Sequence, residues 1–444
     1  MIYRRRYRWT EMSLLLFPAA FMAVALIELQ LAQNAATPLT RNILNPLDTL
    51  GPAIGLVFAL AVTHVLLNIF APDSDQTLLP IAGTLASIGV IMAIRIGSSP
   101  GFDVPSLGAK QLAWVILGLG FCVGTVIVTR DLRWVRNYKY TWAVVGLALV
   151  GVTLVNAVRN FNTNAPSRDV LTIGAGGLSF QPSELVKICL VVFFAGYLSE
   201  NQEMLTAGSI PVGAIKLPPL KQLGPLLFML GLALIIAVGI RELGLALLIF
   251  GMVLSMTYAA TSRKLYVIGG LALFTVGAVI AFSVFSYARV RLNIVSNAFD
   301  PNVATNSGYQ IVQGLVAFGS GGVFGSGLGL GHPTFIPASN TDYIAAAFGE
   351  EFGFAGLLAL LGLFMLLVFR GMFVALRSRD SFNQLMAVGL TSVFALQTLV
   401  ILAGNLKLMP LTGVPLPFVA YGGSSVVANF IIIGFLLRLS EKKT

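Results

Sequence analysis

Twelve apolar runs, separated mostly by short polar connections, can be marked along this chain. They cover residues 12–31, 51–69, 78–94, 112–128, 142–158, 185–197, 225–238, 243–258, 265–285, 352–368, 385–402 and 418–437. A hydrocarbon core of about 30 Å is crossed by roughly 20 residues of helix, and most of these runs reach or approach that length. The pattern therefore predicts an all-α polytopic membrane protein with about twelve transmembrane helices. The first run follows Arg4, Arg5, Arg6 and Arg8 and precedes the small residues Ala35 and Ala36, as a signal peptide would. It is longer than the apolar stretch of about 7–15 residues in such a peptide, so an uncleaved anchor is expected.

One region breaks the pattern. From Arg289 to Ser425 long polar, glycine-rich stretches interrupt the apolar runs. It holds Asp300-Pro301, Ser307-Gly308-Tyr309-Gln310, Thr341-Asp342, Glu350-Glu351 and a Pro-rich run from Pro415 to Ser424. Lipid tolerates unpaired polar backbone only where protein or a water-filled cavity receives it, so a site is expected here. The glycine run 319–331 invites a nucleotide reading. It lacks the Gly-Lys-Ser/Thr ending, and no placement of the dinucleotide fingerprint fits. Closely packed re-entrant backbone is the expected use, because glycine permits near approach and positive φ.

Composition agrees with the membrane reading. The 444 residues are 57% hydrophobic and 10% charged, and the mean hydropathy of +0.87 is beyond any soluble globular chain of this size. The net charge of +10 sits in short loops between apolar runs, which is a topology signal and not a nucleic-acid surface. Cys122 and Cys189 lie inside apolar runs, and His64 and His332 have no ligand-spaced neighbours, so neither disulfides nor a structural zinc is expected. With a cytoplasmic N-terminus, the inner loops hold Arg130, Arg133, Arg136, Lys139, Lys216, Lys221, Arg263, Lys264, Arg370, Arg377 and Arg379. The C-terminal tail adds Arg438, Lys442 and Lys443 to that side. The outer loops are thinner in charge, with Arg41, Lys110, Arg159, Arg168, Arg289, Arg291 and Lys407, and with Arg95 and Arg241 near outer helix ends. Both termini are expected in the cytoplasm, and residues 286–341 outside it, where there is no ATP.

Ionisable residues near or within spans are costly and carry hypotheses by default. Glu184 and Lys187, three apart at the start of the sixth span, share a helical face. The lysine can hold a phosphate oxygen while the glutamate orients it, or the two can simply satisfy each other with a snorkelling lysine. Asp300 before Pro301 is commonly a turn or cap carboxylate; it is also the only Asp between Arg289 and Gln310. Arg241 and Glu242 fall in so short a connection that both are expected to be partly buried.

Taken in order, Gln181-Pro-Ser-Glu-Leu-Val-Lys187, Glu242-Leu-Gly244, Ser307-Gly-Tyr-Gln310, Thr341-Asp-Tyr-Ile344 with Gly349-Glu-Glu351, and Pro415 to Ser425 form a set. That set resembles the SEDS family (shape, elongation, division, sporulation), the RodA branch more than the FtsW branch. The resemblance runs from about Gly51 to the C-terminus and implies a ten-helix core over residues 78–444. Residues 1–77 would add two N-terminal helices, as in longer RodA-type proteins. A long extracytoplasmic loop and a re-entrant glycine-rich segment complete the expected fold.

The resemblance also implies an activity: a glycosyltransferase that polymerises lipid II into peptidoglycan strands on the outer face of the bacterial cytoplasmic membrane. The growing glycan on its polyprenyl pyrophosphate would be the donor. A class B penicillin-binding protein would be the transpeptidase partner, and nucleic acid would have no part. The family's essential loop Asp maps onto Asp300, although the spacing around it departs from the family pattern. Two further departures are Glu242, where the family has Asp, and Ala420, where it usually has Ser. Transfer needs a base for the acceptor hydroxyl and cationic help for the pyrophosphate. Asp300 is the expected catalytic carboxylate, as base or as ligand of a divalent cation (Mg or Mn), with no organic cofactor. Glu184, Lys187, Arg289, Arg291, Gln310 and Asp342 are the expected substrate contacts. Asp342 has the milder reading of a helix N-cap. A flippase or secondary transporter of lipid-linked sugar, and a non-catalytic scaffold, stay open beside the enzyme. No internal repeat supports the former.

Overall fold

The structure is a computed structural model that describes residues 7–35, 46–98, 107–159, 171–173, 178–207, 210–212, 215–217 and 220–441. Arg4, Arg5, Arg6, Ala36, Arg41, Arg168, Lys442 and Lys443, which entered the readings above, lie outside them. The elements begin with α1 (Trp9–Leu14), α2 (Leu16–Ala35), α3 (Pro46–Phe70), α4 (Leu78–Gly97) and α5 (Leu107–Val128). Next come α6 (Arg133–Asn137), α7 (Lys139–Arg159), a hairpin of β1 (Leu171–Ile173) with β2 (Leu178–Phe180), and α8 (Ser183–Ala207). A second hairpin, β3 (Ile210–Val212) with β4 (Ile215–Leu217), leads to α9 (Leu220–Gly239), α10 (Leu243–Thr261) and α11 (Lys264–Val284). The chain closes with α12 (Ser286–Ser296), α13 (Pro301–Ala304), α14 (Tyr309–Gly321), a 3-10 turn (Pro333–Phe335), α15 (Ile344–Arg377), α16 (Ser381–Asn405) and α17 (Gly423–Ser440).

Each of the twelve predicted runs overlaps a helix, although the last begins before α17 does. Among the described residues, ten helices are long and apolar enough to cross a membrane. The runs outside that ten are α7, whose apolar part is shorter, and α8, which carries Glu184, Lys187, Glu200 and Glu203. α11 shows what solvent this fold needs: none of its residues is buried, yet Ile268, Leu271, Val276, Val279 and Ile280 all stand exposed. A helix apolar on every side and uncovered by protein is stable against hydrocarbon, not against water.

Two compact units divide the chain. The first comprises Met1–Val128, Arg291–Arg370 and Gln397–Thr444; the second comprises Thr129–Val290 and Gly371–Leu396. In the first unit α17 lies along α5, α3 packs on α5, and α2 packs on α4. Glycine brings α17 close: a Cβ on Gly423 would meet the Trp114 ring at 2.2 Å, and one on Gly434 the Cys122 carbonyl at 2.6 Å. The N-terminal helices are tied in by Arg8, wholly buried, which donates from Nη1 to the carbonyls of Ala71 (2.9 Å) and Ser74 (3.0 Å) and pairs with Glu11. Glu11 Oε1 in turn lies 2.7 Å from His64 Nδ1 on α3. In the second unit α8 is the centre, packed by α7, α9 and α10.

Candidate functional site

The polar stretch that interrupts the apolar pattern is more helical than its composition suggests. Residues 286–321 form α12, α13 and α14, and α14 turns Ile311, Gly314 and Ala317 inward. Arg289 and Arg291 stand two apart on α12, so they point to different sides of it. Arg289 is exposed. Arg291 is half-buried and donates from Nη1 to the Leu411 carbonyl at 2.9 Å.

Asp300 caps α13. Its Oδ1 accepts the Asn302 N–H at 2.9 Å, with Pro301 in the first helical turn, where a missing N–H costs nothing. The cap reading of this residue is thus realised, and it leaves the side chain exposed and aimed by its own turn. Oδ2 takes no bond from a described residue. The turn continues into the Ser307–Gln310 motif: Gly308 donates its N–H to the Val303 carbonyl at 2.7 Å, and Gln310 donates from Nε2 to the Pro337 carbonyl at 3.1 Å. Asp342 is half-buried just before α15, where its carbonyl accepts from Asn405 Nδ2 at 2.8 Å. Burial pushes the Asp342 carboxyl above its ordinary value, while the charge of Arg291 and a bond from Thr341 act the other way.

The glycine-rich run has a definite task. α15 is broken at Gly353, whose φ of +67° is left-handed. Across the break, Ser326 N–H and Gly327 N–H donate to the carbonyls of Glu350 (2.9 Å) and Glu351 (3.0 Å). Phe354 and Ala355 donate to the carbonyls of Gly322 and Val323, each at 2.9 Å. The loop therefore supplies the partners that the kink takes away. Close approach is required: a Cβ on Gly325 would lie 2.1 Å from the Glu351 carbonyl oxygen. The apolar pattern starts the tenth run at 352, whereas α15 begins at Ile344, because the acidic pair Glu350-Glu351 hides a buried helical turn. Both glutamates are buried, with Glu351 paired to Arg95 of α4. The charge pattern places Arg95 only near an outer helix end. Its partner lies 256 positions away, and no local pattern reports that distance.

In the second unit, Glu184 and Lys187 face each other at 2.8 Å near the start of α8, both buried. Of the two residues expected to be partly buried in the α9–α10 connection, Glu242 is so and Arg241 is not. Arg241 is exposed, with φ of +65°, and its guanidinium lies over the Tyr287 ring; Glu242 is half-buried at the start of α10. The left-handed residue closes the α9–α10 connection and turns its side chain onto an aromatic face.

Among the described residues no three His, Cys, Asp or Glu side chains gather so as to hold a metal ion. Asp300 brings one carboxylate, and the described residues alone do not complete a divalent cation site around it.

Comparison with known proteins places these observations. Residues 75–444 match the family model of the FtsW/RodA/SpoVE cell cycle proteins. The chain is 34% identical to the peptidoglycan glycosyltransferase RodA of Mycobacterium tuberculosis, over 98% of this chain and 90% of that one. It is 37% identical to RodA of Mycobacterium leprae, over 87% and 82%. Among solved structures it is similar to a chain of a peptidoglycan synthase complex that coordinates polymerization and crosslinking, with a TM-score of 0.65, 22% identity, and coverage of 83% and 97%. The broken helix, the glycine-rich brace and the apolar bundle are thus those of a multi-pass membrane protein, and the chain belongs to the FtsW/RodA/SpoVE family.

Proposed function

We propose that this protein is a peptidoglycan glycosyltransferase that polymerises lipid II, with Asp300 as its catalytic base. The reaction class follows from membership in a family whose curated relatives carry that name. The observation that carries the assignment of Asp300 is its setting: an exposed carboxylate, held by one oxygen in a Pro-fixed cap, with the other oxygen unbonded by described residues.

In the reaction the Asp300 carboxylate takes the proton of the acceptor sugar hydroxyl. The hydroxyl oxygen bonds to the anomeric carbon of the donor as the bond from that carbon to the polyprenyl pyrophosphate breaks. The departing pyrophosphate carries the charge away and needs cationic contacts. Arg289, Arg291 and Lys187 are the cations we assign to that role. Gln310 and Asp342 are assigned to hydrogen bonds with the sugar, and Glu184 orients Lys187. A lipid-borne substrate that meets an amine near the start of α8 suits a membrane enzyme.

The segment 286–341 faces the outside of the cytoplasmic membrane and both termini face the cytoplasm, on the basic-loop pattern. The partner is a class B penicillin-binding protein; the fold likeness to a chain of a synthase complex supports a partnered polymerase. Purified protein given fluorescent lipid II tests the function. Glycan polymer on a gel, lost with Asp300→Asn, is the expected result. Transbilayer movement of lipid II without polymer would point to a transporter, and neither activity to a scaffold.

A further inference from the structure

The acidic pair in α15 and the arginine beside it play no part in the reaction above, yet they are among the most buried charges of the first unit. Arg95, near the end of α4, donates from Nε to Glu351 Oε1 at 2.7 Å and from Nη2 to the Gly331 carbonyl at 2.8 Å. One guanidinium thereby joins α4, the break in α15 and the end of the glycine-rich loop. The next residue continues the clasp: His332 N–H donates to Glu350 Oε1 at 3.0 Å. From there the 3-10 turn Pro333–Phe335 leads to Pro337, whose carbonyl is held by Gln310 of α14. Gly308, one residue before α14, is bonded to Val303 of α13, the helix capped by Asp300. A continuous run of bonds thus links Arg95 to the Asp300 turn inside a single unit.

We propose that Arg95 is a positioning residue for the glycosyl transfer: by clamping Gly331 onto Glu351 it sets the placement of residues 332–337 and, through Gln310, of the turn that presents Asp300. The proposal rests on the reading of Asp300 as the base. Its geometry exceeds that of a simple charge pair. The guanidinium fork serves a carboxylate and a carbonyl at once, which the single ammonium of lysine cannot reproduce. Gly331 is seated without slack, since a Cβ there would lie 2.8 Å from Glu351 Cγ and 3.2 Å from Glu350 Cδ. Small shifts at the clamp must therefore be passed along the chain. A reacting group displaced by about 1 Å loses rate on the order of 10²-fold.

Arg95→Lys, in the purified full-length protein, is the test, with kcat and KM for lipid II measured beside hydrogen exchange of residues 297–310 and of α17. The expected result is a folded protein with nearly unchanged KM, kcat lowered on the order of tenfold to 10²-fold, and faster exchange in 297–310 with α17 unaltered. Should Arg95→Lys fail to fold, Glu351→Gln, which keeps an acceptor for the fork, is held to the same criteria. Wild-type kcat, or a loss that merely follows the folded fraction without a local change in exchange, overturns the proposal. Asp300→Asn, assayed in parallel, separates the two readings. If it polymerises normally while Arg95→Lys loosens 297–310, the assignment of the base is wrong and the coupling stands.

Discussion

Lys187 Nζ lies 2.8 Å from Glu184 Oε2, one helical turn apart on α8, and both side chains are almost wholly buried. A pair so closed is satisfied without a ligand, and a substrate phosphate must compete with Glu184 for the ammonium. Removing one member of a buried pair strands the other charge at a cost of about 3–5 kcal/mol. Lys187→Ala is therefore expected to lower the melting temperature markedly. The double change Glu184→Leu with Lys187→Met should restore stability, because apolar replacement of both partners is often neutral or better. If the ammonium serves the pyrophosphate, that double variant stays folded and fails to polymerise. Polymer made by the double variant at wild-type rate would remove Lys187 from the substrate contacts.

Gly353 and Gly362 lie on the same helix and should respond in opposite ways to alanine. At Gly353 a Cβ meets the Gly325 nitrogen at 2.2 Å, on a backbone with φ of +67°; at Gly362 nothing lies within 4 Å. Gly353→Ala is expected to cost about 1–3 kcal/mol in backbone strain alone, and more from the clash. Gly362→Ala should gain roughly 0.5–1 kcal/mol, since glycine is poor inside a helix. Thermal unfolding in detergent checks both, and equal behaviour of the two variants would contradict the bracing role of the glycine-rich loop.

Asp342 gives a stability dependence on pH with a definite sign. Its carboxyl is raised by burial above the ordinary value of 3.8, so the folded state keeps the proton to higher pH than the unfolded chain does. Stability from this group is full below about pH 4 and declines as pH rises through the folded value. Asp342→Asn removes that decline. The variant should melt higher than the wild type near neutrality, with the gap closing as pH falls toward 4. A variant that melts below the wild type near neutrality would mean that Arg291 outweighs burial.

Orientation can be read with single cysteines, because the native Cys122 and Cys189 are buried and slow to label. Asn302→Cys and Arg379→Cys are exposed positions at residues assigned to opposite sides. In intact cells a membrane-impermeant maleimide should modify Asn302→Cys at once, and Arg379→Cys only after permeabilisation. The reverse pattern would invert the topology and place the Asp300 turn in the cytosol.

How much of this was legible beforehand depends on whether the relevant physics is local. Every apolar run marked in the chain became a helix, because apolar length in a membrane protein is a one-dimensional property. α12 and α14 were not anticipated. Their polar and glycine content masks a helix that only neighbouring segments stabilise. Ile344 as the start of α15 was missed for a related reason, since Glu350 and Glu351 look like the end of a loop until Arg95 is seen beside them. The Asp300 cap and the Glu184–Lys187 pair were both among the local alternatives that spacing allowed. The bond from Gln310 to Pro337 and the clamp at Gly331 depend on folding and left no mark in the motifs themselves.

Whether the Asp300 carboxylate performs the transfer is decided by the polymerisation rate of purified Asp300→Asn with lipid II. Asparagine keeps the size and can keep the cap bond to the Asn302 N–H, but it cannot take a proton from the acceptor hydroxyl. The rate should fall on the order of 10²–10⁴-fold with the melting temperature and lipid II binding nearly unchanged. Near wild-type polymerisation by Asp300→Asn, with Asp342→Asn folded and inactive, would exclude Asp300 and move the base to the other side of the glycine-rich loop.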